Sequence, residues 1–181
     1  MLISLHPDLL THAGHGLDQA TEGSIRRAVS TAYYAMFHLL IAEAVEFEYP
    51  TGHDNSDDEL NDFGRRVDHR PAYDACRWVL GSIPNQHCAH LFVTRPVVSK
   101  DARQFLQSFI RLQDWRIFAD YNRLHGFPWP FASTAIAEAT TAITQWQSVR
   151  TEAACRTLVA CIAVNAKRTT SKPSPPATLW A

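Results

Sequence analysis

Apolar residues recur at helical spacing through the first third of the chain. The residues that share one helix face are Ile25, Val29, Ala32, Tyr33, Met36, Phe37, Leu40 and Ala44. Steps of three and four residues are typical of a helix with one buried face. The pattern therefore predicts a long helix from about Thr21 to Glu48, preceded by a shorter helix over residues 7–20.

Turn and cap residues divide the next part of the chain into shorter helices. The stretch "YPTGHDNSDD" is rich in turn formers, and Ser56 or Asp57 can cap a helix that we expect over residues 57–68. Pro71 suits the first turn of a following helix, because its missing N–H has no partner there in any case. We therefore expect a second short helix to begin near Pro71.

The second half of the chain carries two long helical patterns. Ser99 can cap a helix that reaches about His125, where the proline-rich stretch "GFPWPF" stops it. A last helix is expected to begin at Ser133 or Thr134 and to continue, or to restart after a kink, through "CRTLVACIAV". No stretch has the alternation of a half-buried strand, so the predicted fold class is all-α, a helical bundle.

One domain accounts for the length of the chain. At 181 residues, 46% of them hydrophobic, the chain can bury a single core. We expect residues 1–166 to form this domain, and the clustered proline, serine and threonine of residues 167–181 predict a disordered tail. The formal net charge of -1 provides no overall attraction to nucleic acid or to a membrane.

The cysteines and the N-terminal sequence favour a cytoplasmic protein. The four cysteines form no CxxC pair and lie mostly in apolar helical surroundings, as reduced thiols do. "MLISLHPDLL" lacks the features of a secretory signal, and "YYAMFHLLIAEAVEF" is too interrupted for a membrane span. We therefore expect no membrane association.

Two groups of histidines are candidate metal ligands. His12 and His15 form one pair, and His87, Cys88 and His90 lie together in "HCAH". Neither group supplies a four-ligand set at the usual spacing. We therefore expect neither a metal nor another cofactor.

Two charged residues interrupt an apolar stripe in the long helix of the second half. Phe105, Phe109 and Leu112 are spaced by four and three residues, and the stripe continues onto Arg116 and Asp120. These two charges are four residues apart and can pair across one turn. Either they form a partly buried ion pair that fixes helix packing, or they belong to a polar site at the end of the bundle.

A second polar stripe lies on the first long helix. Arg27, Thr31, Tyr34 and His38 follow one another at four, three and four residues, next to the apolar face. Polar stripes on amphipathic helices usually face solvent or a partner. The alternative is that Tyr34 and His38 face the polar site around Arg116.

Basic residues are concentrated in "RRVDHR". The segment contains Arg65, Arg66, His69 and Arg70 within two turns. Positive side chains in the last turn of a helix offset its dipole, which is a sufficient reason for such a cluster. His69 would supply acid–base chemistry only if the fold brought it to Arg116 or to the histidine of the polar stripe.

Three segments together resemble one known superfamily. "RRAVSTAYYAMFHLLIAEA", "DFGRRVDHRPAYDACRWV" and "FIRLQDWRIFADYNRLHGF" occur in an order and spacing similar to small bacterial HEPN proteins, with the elements "YYAMFH" and "RIFADY". The resemblance covers roughly Ile25 to Val149. It implies an up-and-down bundle of four or five helices that forms a homodimer.

The resemblance also implies a function connected with RNA or nucleotides. Many HEPN proteins are metal-independent RNases or toxins, often acting beside a nucleotidyltransferase-like antitoxin, and others are inactive RNA-binding derivatives. The nuclease members carry an Arg and, after four to six intervening residues, a His. Counting from Arg116, those positions hold Tyr121, Asn122 and Arg123, so the usual nuclease pair is not intact.

The sequence therefore leaves three functions open. The first is an RNA- or nucleotide-binding module of a toxin–antitoxin or defence type system, with a degenerate site centred on Arg116. Its candidate residues are Arg27, Tyr34, His38, Arg65, Arg116, Asp120 and Tyr121. The second is an RNase that uses a rearranged histidine, with His69, Arg66 and Arg116 as catalytic candidates. The third is a helical partner subunit without catalysis.

Overall fold

Seven helices make up the part of the chain that the computed structural model describes, which is residues 6–15, 21–50, 55–81, 95–122 and 126–168. They are α1 (His6–His15), α2 (Glu22–Glu48), α3 (Asp57–Arg65), α4 (His69–Val79), α5 (Lys100–Tyr121), α6 (Trp129–Val149) and α7 (Ala153–Arg168). These residues contain no strand, so the predicted all-α class is confirmed. The predicted count of four to five bundle helices stays a prediction.

The long helix α2 lies at the centre of the molecule. It packs against α1, α3, α5, α6 and α7, which explains why its buried residues extend beyond a single stripe. By length and composition α2 is apolar enough to cross a membrane, but 61% of its most apolar window is buried inside the protein. A core helix has the same composition, because it also loses contact with water on most sides.

Helix α5 runs antiparallel to α2. The first turns of α2 contact the last turn of α5, and Tyr33, further along α2, packs against Phe109 in the middle of α5. The contacts are Arg26 with Ala119, Ser30 with Asp120, and Tyr34 with Arg116. The N-terminal end of α2 therefore lies beside the C-terminal end of α5.

Helix α6 runs parallel to α2 and completes the packing around α5. Near its C-terminal end, the indole Nε1 of Trp146 donates a hydrogen bond to Glu43 Oε1 at 2.9 Å, and Arg150 Nη2 lies 3.1 Å from Glu46 Oε2. Trp146 is also fully buried, with its ring centroid 4.4 Å from that of Phe105 on α5. The apolar stripe predicted for α5 is thus buried in this core.

Three helices start where the sequence predicts, and each start has an N-cap, although a cap was expected only at Ser56 or Asp57 and at Ser99. Thr21, Ser56 and Ser99 each precede a helix, and each side-chain oxygen accepts a backbone N–H three residues later. Ser56 also forms a capping box with Glu59, whose carboxylate accepts the Ser56 N–H at 3.0 Å. These caps satisfy N–H groups that have no partner within the helix.

Other helix ends differ from the prediction. Helix α3 ends at Arg65, not at residue 68, and α5 ends at Tyr121, short of residue 125. Helix α6 begins at Trp129, four residues before Ser133, because a proline is tolerated in a first helical turn. The chain then breaks and restarts as α7, which continues to Arg168; residues 169–181, most of the predicted tail, lie outside the described residues.

Candidate functional site

Tyr34 on α2 contacts both α4 and α5. Arg116 Nη2 donates a hydrogen bond to Tyr34 Oη at 2.8 Å, and the guanidinium carbon lies 5.5 Å from the centroid of the Tyr34 ring. The ring of His69, the first residue of α4, meets the same tyrosine edge-on, with 5.6 Å between centroids. We refer to Tyr33, Tyr34, His69, Arg116 and Asp120 as the polar cluster.

Arg116 and Asp120 form the predicted pair across one helical turn. Arg116 Nε lies 2.8 Å from Asp120 Oδ2, but its N–H is not aligned with that oxygen and makes no hydrogen bond among the described residues. The contact is therefore an ion pair. Ser30, buried on α2, donates a hydrogen bond to the other carboxylate oxygen of Asp120 at 2.6 Å.

Arg116 keeps its positive charge in this setting. Burial opposes the charged form, but the hydrogen bond to Tyr34 and the nearby Tyr34, Asp120 and Tyr121 side chains outweigh burial and raise the pKa of Arg116. The side chain is partly buried, with 19% of its surface exposed. A partly desolvated cation of this kind interacts more strongly with an anionic ligand than a fully hydrated one does.

His69 is joined to the core by Tyr33. The Tyr33 hydroxyl and His69 Nδ1 are 2.8 Å apart, and the Phe37 ring lies 4.0 Å from the imidazole, measured between centroids. Tyr33 is fully buried, and burial raises its pKa well above the usual range, so its hydroxyl stays protonated. If Nδ1–H donates to Tyr33, then Nε2 is a proton acceptor.

The imidazole of His69 is neutral at pH 7. Burial lowers its pKa, the charge of Arg116 lowers it further, Asp68 partly opposes this, and His38 adds a small lowering. Burial also lowers the pKa of His38, which is half-buried on α2. A neutral imidazole beside a permanent cation has the protonation state that a general base requires.

The basic segment "RRVDHR" spans two helix ends, which differs from the prediction. Arg65 lies in the last turn of α3 and Arg66 is its C-cap, where positive charge is favourable. His69 and Arg70 open α4 instead, at the positive end of its dipole. The dipole therefore explains only the first two of these four residues.

The remaining predicted residues are not all brought together. Arg66 contacts its own helix, with Nη2 3.5 Å from Asp62 and the guanidinium over the Phe63 ring. Arg65 and Arg27 are exposed. Tyr121 is 72% exposed, and its ring centroid lies 6.0 Å from the Arg116 guanidinium carbon.

Two members of the site were not predicted as such. The sequence places Tyr33 on the apolar face of α2 and gives no signal for Ser30, yet they form hydrogen bonds with His69 and Asp120 respectively. Each contact joins residues that are far apart in the sequence. The only local signal was the doubled tyrosine of "YY", in which one ring can face the core while its neighbour faces the adjacent helix.

Metal binding has no support in the described part of the chain. No group of three or more His, Cys, Asp or Glu side chains lies close enough there to hold a metal ion. The "HCAH" segment falls outside the described residues.

A groove of about 640 Å³ lies at the other end of α2, lined by Phe47 and by α7 residues that include Arg156 and Val164. Because an α-helix rises about 1.5 Å per residue, Phe47 lies roughly 20 Å from Tyr34 along α2. The groove is therefore separate from the polar cluster.

No protein-family model, curated protein or solved structure matches this chain. The resemblance to HEPN proteins rests on the sequence motifs alone.

Proposed function

We propose that this protein is a HEPN-like, RNA- or nucleotide-associated module of a toxin–antitoxin or defence type system, with the polar cluster as its ligand site. The observation that carries the proposal is the meeting of His69 from α4 and Arg116 from α5 at Tyr34 of α2. A cation, a neutral imidazole and phenol hydroxyls in one place suit a ligand with phosphate and hydroxyl groups.

Binding competes with the internal ion pair. Asp120 already offsets part of the charge of Arg116, so a phosphate gains less from this arginine than from an unpaired one. We therefore expect modest affinity that falls as salt concentration rises, since phosphate contacts release counterions. A homodimer, a nucleotidyltransferase-like antitoxin as partner, and a cytoplasmic location belong to the same proposal and rest on the sequence.

Metal-independent RNA cleavage is the second candidate, favoured by the neutral state of His69 beside Arg116. In this reaction the His69 tautomer that donates Nδ1–H to Tyr33 takes the proton from a ribose 2'-hydroxyl at Nε2, and the 2'-oxygen attacks the adjacent phosphorus. The bond from phosphorus to the 5'-oxygen breaks, and this oxygen takes a proton from water to leave as a hydroxyl beside a 2',3'-cyclic phosphate, while the hydroxide so formed takes the proton back from His69. Arg116 stabilises the charge on the phosphate oxygens. Arg66 contacts α3, so its catalytic assignment has no support from these contacts.

The test is a binding and cleavage assay with labelled RNA in the presence of EDTA over a salt series. Arg116→Ala is expected to weaken binding and to lower the slope of log affinity against log salt by about one. Arg103→Ala is the matched control, because Arg103 is an exposed arginine on the same helix, and it should bind like the wild type. Thermal melts of each variant separate lost binding from lost folding.

The outcomes distinguish the candidate functions. Salt-sensitive binding without cleavage supports the binding module. Cleavage that His69→Ala abolishes while binding persists supports the RNase. If the wild type neither binds nor cleaves RNA and also binds no labelled nucleotide, both are wrong, and a non-catalytic partner subunit becomes the leading hypothesis.

A further inference from the structure

The last turn of α5 presents three large apolar side chains to solvent. Ile117 is 44% exposed, Phe118 is 42% exposed and Tyr121 is 72% exposed. Tyr121 follows Ile117 by four residues and Phe118 by three, so the three side chains are neighbours on the helix surface. We refer to them as the α5 patch. Isolated exposed apolar residues are common, but three adjacent ones beside a charged site form a surface suited to a ligand.

The α5 patch adjoins the polar cluster through Tyr121. Its ring centroid lies 6.0 Å from the guanidinium carbon of Arg116, and that guanidinium also contacts Tyr34. The partner of Arg116, Asp120, accepts a hydrogen bond from Ser30 as well, so its carboxylate is engaged on both oxygens. Tyr121 therefore presents an aromatic face to a ligand, and Arg116 presents a guanidinium next to it.

A second arginine lies at the same end of the molecule. Arg27 precedes Tyr34 by seven residues, two helical turns, and so shares its face of α2. Its neighbours Arg26 and Ser30 contact Ala119 and Asp120, which places Arg27 level with the last turn of α5. Arg27 is exposed and is available to a ligand that lies across this end.

We infer that Tyr121 is a stacking platform for one unpaired base of single-stranded RNA, with the adjoining phosphates at Arg116 and Arg27. The inference rests on the proposed RNA-associated function. It adds that the RNA bound is single-stranded. Unpaired bases expose flat faces that stack on aromatic side chains, whereas paired bases in a duplex keep those faces covered. The arginines contact only the backbone, so the site selects unpaired strands with little sequence preference.

The experiment uses the full chain and a short single-stranded RNA that contains 2-aminopurine, a base whose fluorescence falls when it stacks. Affinity is measured by anisotropy for the wild type and for Tyr121→Ala, Tyr121→Leu and Tyr121→Phe. Phe47→Ala is the control, because Phe47 is an aromatic residue with 46% exposure at the other end of α2. Tyr121 is largely exposed, so these variants should fold, and melting curves verify that they do.

We expect wild-type protein to quench the 2-aminopurine signal and to bind the single strand more tightly than the same sequence in a duplex. Tyr121→Ala and Tyr121→Leu should bind roughly five- to a hundredfold more weakly and lose the quenching, since base stacking is lost. Tyr121→Phe and Phe47→Ala should behave like the wild type, because the first keeps the ring and the second lies elsewhere.

Three results would overturn the inference, and they separate it from the proposed function. If Arg116→Ala weakens binding while Tyr121→Ala does not, the RNA site stands and the platform is wrong. If the wild type binds no RNA, both are wrong. If Tyr121→Ala leaves RNA binding intact but changes the molar mass in light scattering, the α5 patch is a contact between copies of the chain.

Discussion

At the scale of single residues, His69 is held in its neutral form by its neighbours. It is partly buried against Tyr33, Tyr34 and Phe37, and it lies near the charge of Arg116. These surroundings penalise the imidazolium more than the imidazole. The protonation of His69 is therefore coupled to folding as well as to any chemistry at the site.

The pKa of His69 predicts how stability depends on pH. In the unfolded chain the imidazole titrates near its ordinary value of about 6.5, whereas its pKa in the folded protein is lower. As pH falls through this interval, the unfolded chain binds a proton that the folded chain does not. The free energy of unfolding should therefore decrease as the pH falls below about 7 and level off once the pH is below the folded pKa.

Urea denaturation at several pH values measures this effect. His69→Gln should remove part of the pH dependence, and His38→Gln should remove another part, because burial lowers the pKa of His38 in the same direction. A His69→Gln protein whose stability changes with pH as steeply as the wild type would contradict the explanation.

The charge of Asp120 predicts opposite effects on stability and on RNA binding. Asp120→Asn removes the ion pair with Arg116 and weakens the acceptor for Ser30, so the protein should lose about 1–2 kcal/mol of stability. Arg116 is then less neutralised, so its affinity for phosphate should rise. Urea denaturation and RNA anisotropy measure the two effects.

Asp114→Asn is the matched control for this variant. Asp114 is an exposed carboxylate on the same helix that accepts a hydrogen bond from Tyr73, at a distance of 3.1 Å. Its substitution should leave RNA affinity nearly unchanged. Equal gains in affinity from both variants would point to a general charge effect instead of a role for the pair.

At the scale of helices, the N-cap of α5 positions the element that carries Arg116. Ser99 Oγ accepts the N–H of Ala102 at 3.1 Å, and this contact is partly buried. Ser99→Ala should lower the free energy of unfolding by about 1 kcal/mol, because that N–H loses its partner. Urea denaturation measures the loss.

Ser133→Ala gives the comparison for the cap. The Ser133 hydroxyl donates to the carbonyl of Pro130 within α6 and caps no N–H group. Its removal should change stability by no more than about 0.5 kcal/mol. Similar losses in the two variants would argue against a special contribution of the cap.

The helices differ in how far their ends could be predicted. Caps at Thr21, Ser56 and Ser99 are local signals, because donor and acceptor lie three residues apart. The predicted start of α6 at Ser133 or Thr134 is wrong, because the helix already begins at Trp129 with Pro130 in its first turn. Serine and threonine also occur inside helices, where the hydroxyl bonds to a preceding carbonyl.

In the candidate site, too, only contacts between residues close in the sequence could be predicted. The pairing of Arg116 with Asp120 follows from a spacing of four residues. Arg116 also contacts Tyr34, and His69 contacts Tyr33. These contacts depend on how α2, α4 and α5 pack. The spacing of residues within one helix does not predict which residues of two helices meet. The sequence predicts a role for His69 only if the fold brings it to Arg116. The packed helices bring both residues to Tyr34.

At the scale of the whole molecule, α2 links most of the structure into one unit. It contacts all six other helices, α4 through the ring of His69, so the loss of α2 would expose most of the core. We expect unfolding in urea to be a single transition, in which tryptophan fluorescence and far-ultraviolet circular dichroism coincide. Because α4, α5 and α6 all contain tryptophan, the fluorescence measures the unfolding of several helices at once. Two separated transitions would show that a helix unfolds independently of α2.

The first turns of α2 also hold both sides of the connection between α5 and α6. Arg26 donates a hydrogen bond to the carbonyl of Ala119 at 2.6 Å, before the connection. Glu22 accepts the backbone N–H of Phe127 at 3.1 Å, after it. The first turns of α2 therefore contact the chain on both sides of the connection between α5 and α6. Residues inserted between positions 122 and 126 would lengthen a bridge whose two ends are already anchored, which makes this a suitable place to attach a label near the polar cluster.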